Sequence, residues 1–271
     1  MDWSRAKTIF IFTFLILNVF LLFRLIQLET ENKNAFIQET SMEERLLADD
    51  IEVPELPQEP KKEYYVEATA KTFHRNDMED LSGQEITIVS ENVLESNLSI
   101  PFQLNDDWKQ TDVDLFVFNH IYQGNQYTFW DYDPEKRQII YYQNFKNKTF
   151  YKNKNAAIIL QLDQNGNIDS YSQTMLDNIK EIKEQDIFSA KQALLILYNK
   201  QYIQSGSKIT DVALGYYTLV PAISSQLLVP TWRFEINGEK NLFVNAVEGS
   251  IFQETGEANE RMQERDPNAI P

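Results

Sequence analysis

The chain of 271 residues contains no cysteine. This excludes disulfides, thiolate nucleophiles and cysteine-ligated zinc or iron–sulfur sites. Histidine is nearly absent too: His74 and His120 are the only two, which argues against a His-rich metal centre or a two-histidine catalytic arrangement. Basic residues are scarce beside acidic ones, 25 against 41, for a net charge of −16. That is the wrong sign for a general nucleic-acid binder, whose affinity comes from cations neutralising phosphates. No Gly-x-Ser-x-Gly, Walker loop or His-Glu-x-x-His occurs. What the chain does have is apolar material, 42% hydrophobic and 13% aromatic. That is enough for a core and excludes disorder of the whole chain.

The apolar residues are most concentrated at the start. Thr8 to Phe23 is a 16-residue run without a charge, and extending it to Leu28 gives 21 residues and includes Arg24. At about 1.5 Å per residue the longer stretch spans roughly 31 Å, enough for a bilayer core if Arg24 snorkels to the headgroups. A single membrane-spanning helix over 8–28 is expected. No small-x-small cleavage pattern follows it, so the segment reads as an uncleaved signal anchor. Arg5 and Lys7 on the short amino-terminal flank favour a cytoplasmic tail at 1–7. Residues 29–271, with 22 basic and 40 acidic side chains, then lie outside the cell membrane. Asn18 sits near the middle of the run. Its amide can recognise a partner helix or bond back to its own; both readings are open. Asn18, Phe14, Leu21 and Leu22 are the candidate transmembrane partner contacts.

A helical and proline-rich stalk is expected over 29–62. Ser41-Met-Glu-Glu44 has the form of a capping box opening a short helix from Met42 to about Asp49, burying Met42, Leu46 and Leu47. Pro54, Pro57 and Pro60 follow in VPELPQEPKK. Such density favours extended chain and reads as a semi-rigid spacer, with a proline-reading partner as the less ordinary alternative.

A β-rich module is expected over 63–180. Tyr64–Phe73 alternates as a strand, and Glu85–Val89 reads as another. Val113–His120 and Gln126–Tyr132, separated by Gly124-Asn125, look like a hairpin. Asp133-Pro134-Glu135-Lys136 is a turn, Ile139–Asn144 returns, and Ala156–Leu162 and Ile168–Gln173 flank an Asn165-Gly166 turn. A helix-plus-sheet module is expected over 181–254. Ser189-Ala-Lys-Gln192 is a second capping box, and its helix places Ala190, Ala193, Leu194, Leu197 and Tyr198 on one face. Strands Ile209–Tyr217, Leu228–Ile236 and Leu242–Asn245 follow, with Asn237-Gly238 the strongest hairpin turn in the chain. A polar tail closes the chain at 255–271. The fold class is α+β, an anchor helix followed by antiparallel sheets with few helices.

Candidate chemistry is thin. Asp163, Asn165, Asn167 and Asp169 have the spacing of a calcium loop. The sixth position, where glycine is needed, is Ile168, and the twelfth, where glutamate is needed, is Thr174. A hairpin turn explains the same residues. Asp131 and Asp133 could pair as glycosidase carboxylates, but such pairs are frequent by chance in so acidic a chain. Trp108, Trp130 and Trp232 could form a sugar-stacking platform if coplanar and exposed; aromatics in strands are more often core. No catalytic, cofactor-binding or metal-ligating residue is assigned, and no cofactor.

The start MDWSRAKTIFIFTFLILNVFLLF, the stalk VPELPQEPKK and the carboxy-terminal pair VPTWRFEINGEKNLFVNAVEGSI resemble the YycI family, also called WalI. The resemblance extends across nearly the whole chain, most specifically at the amino terminus. It implies a Gram-positive membrane protein that works with a sister protein, YycH. Together they bind the sensor histidine kinase YycG (WalK) and set its activity toward cell-wall metabolism genes. It also implies an outer part of two modules related to the carboxy-terminal domains of YycH. The implied partners are the YycG/WalK-type kinase, the YycH-type sister and membrane lipid, with no nucleic acid. The competing class is an extracytoplasmic module that binds cell-wall glycan or peptide; an enzyme ranks third.

Overall fold

The structure is a computed structural model that describes residues 7, 10–22, 39–58, 61–79, 81–105, 107–220 and 225–252. Residues 10–22 form a helix, α1, whose apolar side chains are all well exposed, Phe10 at 76% and Leu17 at 50% among them. Among the described residues no helix is long and apolar enough to cross a membrane. The expected span of 8–28 extends past α1 on both sides into residues outside the description.

Two helix-on-sheet units follow. In the first, helix α3 (Gln110–His120) leads into β4 (Tyr127–Asp133), β5 (Gln138–Phe145), β7 (Ala157–Leu162) and β8 (Ile168–Gln173). These four strands form an antiparallel meander, each bonded to the next. The hairpin β2 (Gln84–Ser90) and β3 (Val93–Phe102) adds to it through β3 on β8. In the second unit, helix α4 (Ala190–Asn199) leads into β10 (Ile209–Val220), β11 (Gln226–Ile236), β12 (Lys240–Asn245) and β13 (Ile251–Phe252), again an antiparallel meander in chain order. A helix followed by four meandering strands therefore occurs twice, although no sequence repeat can be counted.

Each unit has its own core. Val113, Phe116 and Val117 of α3 pack over Leu94, Ile139, Tyr141, Ile158, Leu160 and Ile168. Ala193, Leu194 and Leu197 of α4 pack over Trp232, Phe234 and Val244. Full burial of such side chains is worth about 1.5–3 kcal/mol each. The Ser189 cap forms as expected: its Oγ accepts from the Gln192 N–H at 3.3 Å, and Gln192 Oε1 accepts from the Ser189 N–H at 2.8 Å.

The units meet at a seam. Strand β6 (Lys148–Tyr151) turns back on β5 through Lys146-Asn147, both at positive φ, and lies parallel to β10. Strand β1 (Lys62–Ala70), from the 63–180 stretch, pairs with β11 and with β9 (Leu176–Asp186). Val66, Phe150, Leu176, Tyr216 and Leu228 fill the space between.

Several sequence expectations need correction. Val113–His120 is not a hairpin strand but most of α3. Its apolar residues at 113, 116 and 117 have helical spacing, and the Lys109 N–H is capped by Asp112 Oδ2 at 2.9 Å. β-branched and aromatic residues favoured the strand reading locally, and packing overrode it. Gly124 lies not in a hairpin but in a tight turn buried under α3. A Cβ there would stand 1.8 Å from the Val117 carbonyl oxygen. Helix α2 (Glu39–Ala48) begins before Ser41, so Ser41 stands inside it and not at its N-cap. The side chains of 39–43, Met42 among them, lie outside the description. Leu46 is buried as expected, but Leu47 is 78% exposed. The tail at 255–271 also lies outside the description.

Candidate partner-contact surfaces

The expected spacer does not run free of the outer body. After α2 the chain turns at Asp50, which takes positive φ. Ile51 is buried in the α4 core, and Val53 and Leu56 pack against it. The Glu52 N–H donates to the Ser207 carbonyl at 3.0 Å, and Ile209 N–H to the Glu52 carbonyl at 2.9 Å. At the other end of the contact, Tyr198 donates its hydroxyl proton to Asp49 Oδ2 at 2.7 Å, and the Arg45 guanidinium lies 5.0 Å over the Tyr198 ring. An apolar groove of about 460 Å³ remains between the two helices, lined by Leu46, Leu47, Ile51, Pro54, Leu56 and Leu194 among others.

On α1, the Asn18 amide donates to the Phe14 carbonyl oxygen of its own helix at 2.8 Å. Phe10, Phe14, Asn18 and Leu22 line one shallow apolar face with Ile11, Leu15 and Val19. Leu21 is exposed beside it at 54%.

The calcium-loop residues are used by the backbone. Asp163 Oδ1 accepts from the N–H groups of Asn165 and Asn167 at 2.7 and 2.9 Å, which holds its carboxyl below the usual range, and Gly166 takes the positive φ of the turn. The Asn167 amide oxygen is taken by the Leu104 N–H. Among the described residues no cluster of acidic or histidine side chains could hold a metal. Asp133 caps its turn, accepting from the Glu135 and Lys136 N–H groups, and Asp131 accepts from Tyr132. His74 and His120 are exposed, the latter stacked on Phe116.

The described tryptophans do not assemble a sugar platform. Trp232 is fully buried, with Nε1 donating to the Phe188 carbonyl at 2.7 Å. Trp108 and Trp130 meet Tyr132 and Tyr142 edge-on, and Trp130 is further covered by Phe243 and the Arg233 guanidinium.

One buried charged site went unnoticed in the sequence. Glu63, 7% exposed, accepts from the Tyr64 N–H at 3.0 Å and the Tyr216 hydroxyl at 3.1 Å, and pairs with the Lys148 ammonium at 3.0 Å. Burial pushes its carboxyl up. The Tyr64 N–H, Lys148 and Tyr216 together outweigh that and hold it below the usual range. Because β1, β6 and β10 each contribute a partner, the site ties the two units together. Alternation in β1 could not have revealed it, since the partners are 85 and 153 residues away.

These features define a mostly antiparallel mixed-sheet protein with few helices, built from two helix-on-sheet units behind an exposed apolar helix. The chain belongs to the YycI family: the family model described as YycI protein matches residues 31–247. Membership fits an accessory role in a two-component system and suggests a non-enzymatic protein. A search of curated proteins gives no match. Among solved structures, the chain is similar to an uncharacterized protein from Eubacterium rectale, at 10% identity and TM-score 0.46 over 75% of this chain and 89% of that one. It is also similar to YycH from Bacillus subtilis, at 15% and 0.40 over 70% and 52%. A third similarity is to the YpeB C-terminal domain from Bacillus megaterium, at 9% and 0.37 over 74% and 96%.

Proposed function

We propose that the chain is a non-enzymatic regulator anchored in the cell membrane by a helix over 8–28, with its carboxy-terminal body outside. With a YycH-type sister it binds a YycG/WalK-type sensor histidine kinase and modulates signalling that controls cell-wall metabolism. The observation that carries this reading is the family match over 31–247. The exposed apolar face of α1 supports the membrane contact. On this reading α1 packs against kinase helices through Phe14, Asn18, Leu21 and Leu22, and the outer body docks beside the sister or the kinase sensor region. A bound regulator shifts the kinase only by its differential affinity for the two signalling states, so at least one of the two contacts must distinguish those states.

The test is co-purification in detergent of the tagged full-length chain with the cognate kinase, with and without the sister. A stoichiometric complex is expected. Recovery of neither partner from a folded, membrane-inserted chain refutes the reading. Asn18→Leu is expected to weaken helix association by a modest amount, since interhelical polar contacts average about 0.6 kcal/mol. Unchanged crosslinking to the kinase removes Asn18 from the contact.

A further inference from the structure

Helix α3 is apolar on both sides. Val113, Phe116 and Val117 are buried in the core beneath it, while Leu115 and Phe118 on its outer side are 60% and 63% exposed. Single exposed apolar residues need no explanation. Two large ones a turn apart on an 11-residue helix that already fills its core are different: with Thr111, Asp112, Asp114 and Asn119 around them they form an apolar patch rimmed by polar residues, the pattern of an interaction site. The second unit shows a cover. There α4, the counterpart of α3, is flanked by α2, and Leu46 and Ile51 join Leu194 and Leu195 in one buried cluster. No described element covers the outer side of α3.

The charges around Leu115 and Phe118 select the occupant. Asp107 and Asp112 are exposed and Asp114 is half-buried. Asp114 accepts from the Tyr141 hydroxyl at 2.8 Å and Gln110 at 3.4 Å, and Asp112 from the Lys109 N–H. None of the three is in an ion pair among the described residues; Lys109 is the one lysine or arginine between positions 107 and 120, and His120 stands at the far end of the helix, stacked on Phe116. A second copy of α3 laid across this face would set aspartates against aspartates. An anionic bilayer surface would be repelled for the same reason.

We infer that the outer face of α3 docks an amphipathic helix of a partner protein, apolar where it meets Leu115 and Phe118 and basic where it meets Asp107, Asp112 and Asp114. This deepens the regulatory reading and rests on it for the identity of the partner, though not for the existence of the surface.

The absence of cysteine makes the test clean. Leu115→Cys and Phe118→Cys, with Ile182→Cys on exposed β9 as reference, are introduced singly into the full-length chain. Maleimide labelling is timed in native membranes and on the purified chain in detergent. In membranes, labelling at 115 and 118 is expected to slow at least about tenfold relative to 182, because the centre of an interface is desolvated. Equal rates at all three sites overturn the proposal. Protection that persists in the purified chain and grows with its concentration also overturns it, in favour of a second copy. As a companion, Leu115→Ser with Phe118→Ser is expected to lose co-purification of either the kinase or the sister while keeping the wild-type melting temperature; retention of both partners counts against the surface. Protected cysteines in a chain that recovers neither the kinase nor the sister would leave the α3 surface standing and remove the regulatory reading.

Discussion

Glu63→Ala removes the one carboxylate shared by β1, β6 and β10. The Lys148 ammonium and the Tyr216 hydroxyl then face a gap at the seam. Breaking a buried pair from one side costs about 3–5 kcal/mol. Lys148 keeps 20% of its side chain exposed and can turn partly toward water, so the expected loss sits at the low end. At roughly 2–4 °C per kcal/mol for a body of this size, about 3 kcal/mol lowers the melting temperature by roughly 6–12 °C. The folded carboxyl titrates below its ordinary value of 4.5. Its stabilisation is therefore complete above that pH and is lost as pH falls through the folded value. Thermal unfolding of the full-length chain, followed by circular dichroism, should show a constant gap between wild type and variant from about pH 8 to about pH 6. The gap should narrow below the ordinary carboxylate value. Glu63→Leu with Lys148→Met should recover most of the loss, since a buried pair is often replaceable by apolar groups of similar size. A Glu63→Ala chain that melts within about 1 °C of wild type, with no pH dependence, would refute the reasoning.

Gly215 is the point at which β10 lets β6 approach: a Cβ there would stand 2.5 Å from the Tyr151 ring and 2.6 Å from the Thr149 carbonyl oxygen. Tyr151 is itself packed against Trp130 and Phe243, so Gly215→Ala should destabilise by about 1–3 kcal/mol and speed amide exchange in β6; wild-type exchange would mean the ring yields freely. Calcium should leave the melting temperature unchanged, because Asp163 and Asn167 already accept backbone N–H groups. A rise with added calcium would restore the cation reading of that loop.

Most of the outer body was legible because its turns are chemical. Asn237-Gly238, Asn165-Gly166 and Asp133-Pro134 each bracket strands that form where alternation put them. The misses share a cause, which is that distant packing overrides local pattern. β9 is nearly all exposed, with Lys180, Glu181, Lys183 and Glu184 where a strand pattern would show apolar residues. Its pairing is decided by β1, more than a hundred residues earlier. β3 carries polar Glu95, Ser96 and Asn97, yet Ser96 is buried because its hydroxyl donates to Gln84 Oε1 at 2.6 Å. β6 follows a Lys-Asn turn, which lacks the glycine that marks most two-residue hairpins. The bond of Asn18 back to its own helix, made to the Phe14 carbonyl, was one of the two readings its place in the run left open; the bare side of α3 was not legible, since it depends on what lies opposite.

The docked α2 segment bears on how the two proposed contacts communicate. With the proposed anchor helix ending at residue 28, ten residues, 29–38, lead from it to α2. At about 3.5 Å per extended residue they allow a reach of at most roughly 35 Å. Were α2 and the proline segment free up to Lys61, the tether would be 33 residues and the limit roughly 116 Å. If 8–28 is the anchor proposed above, the docking of Leu46 and Ile51, at 5% and 4% exposure, with Val53, Leu56 and the Glu52 backbone bonds, is what shortens the tether to the body. Leu46→Ser with Ile51→Ser removes the two most buried apolar anchors of that attachment and leaves Val53, Leu56, the Glu52 backbone bonds and the Asp49–Tyr198 bond to hold it. Spin labels on cysteines at positions 22 and 182 of the full-length chain in nanodiscs report the result. The distance distribution should broaden toward longer values in the double variant, with the two helix-on-sheet units still melting cooperatively. An unchanged distribution would mean that the α2 contact does not set the reach, and that the body is held near the membrane by something other than its own amino-terminal strap.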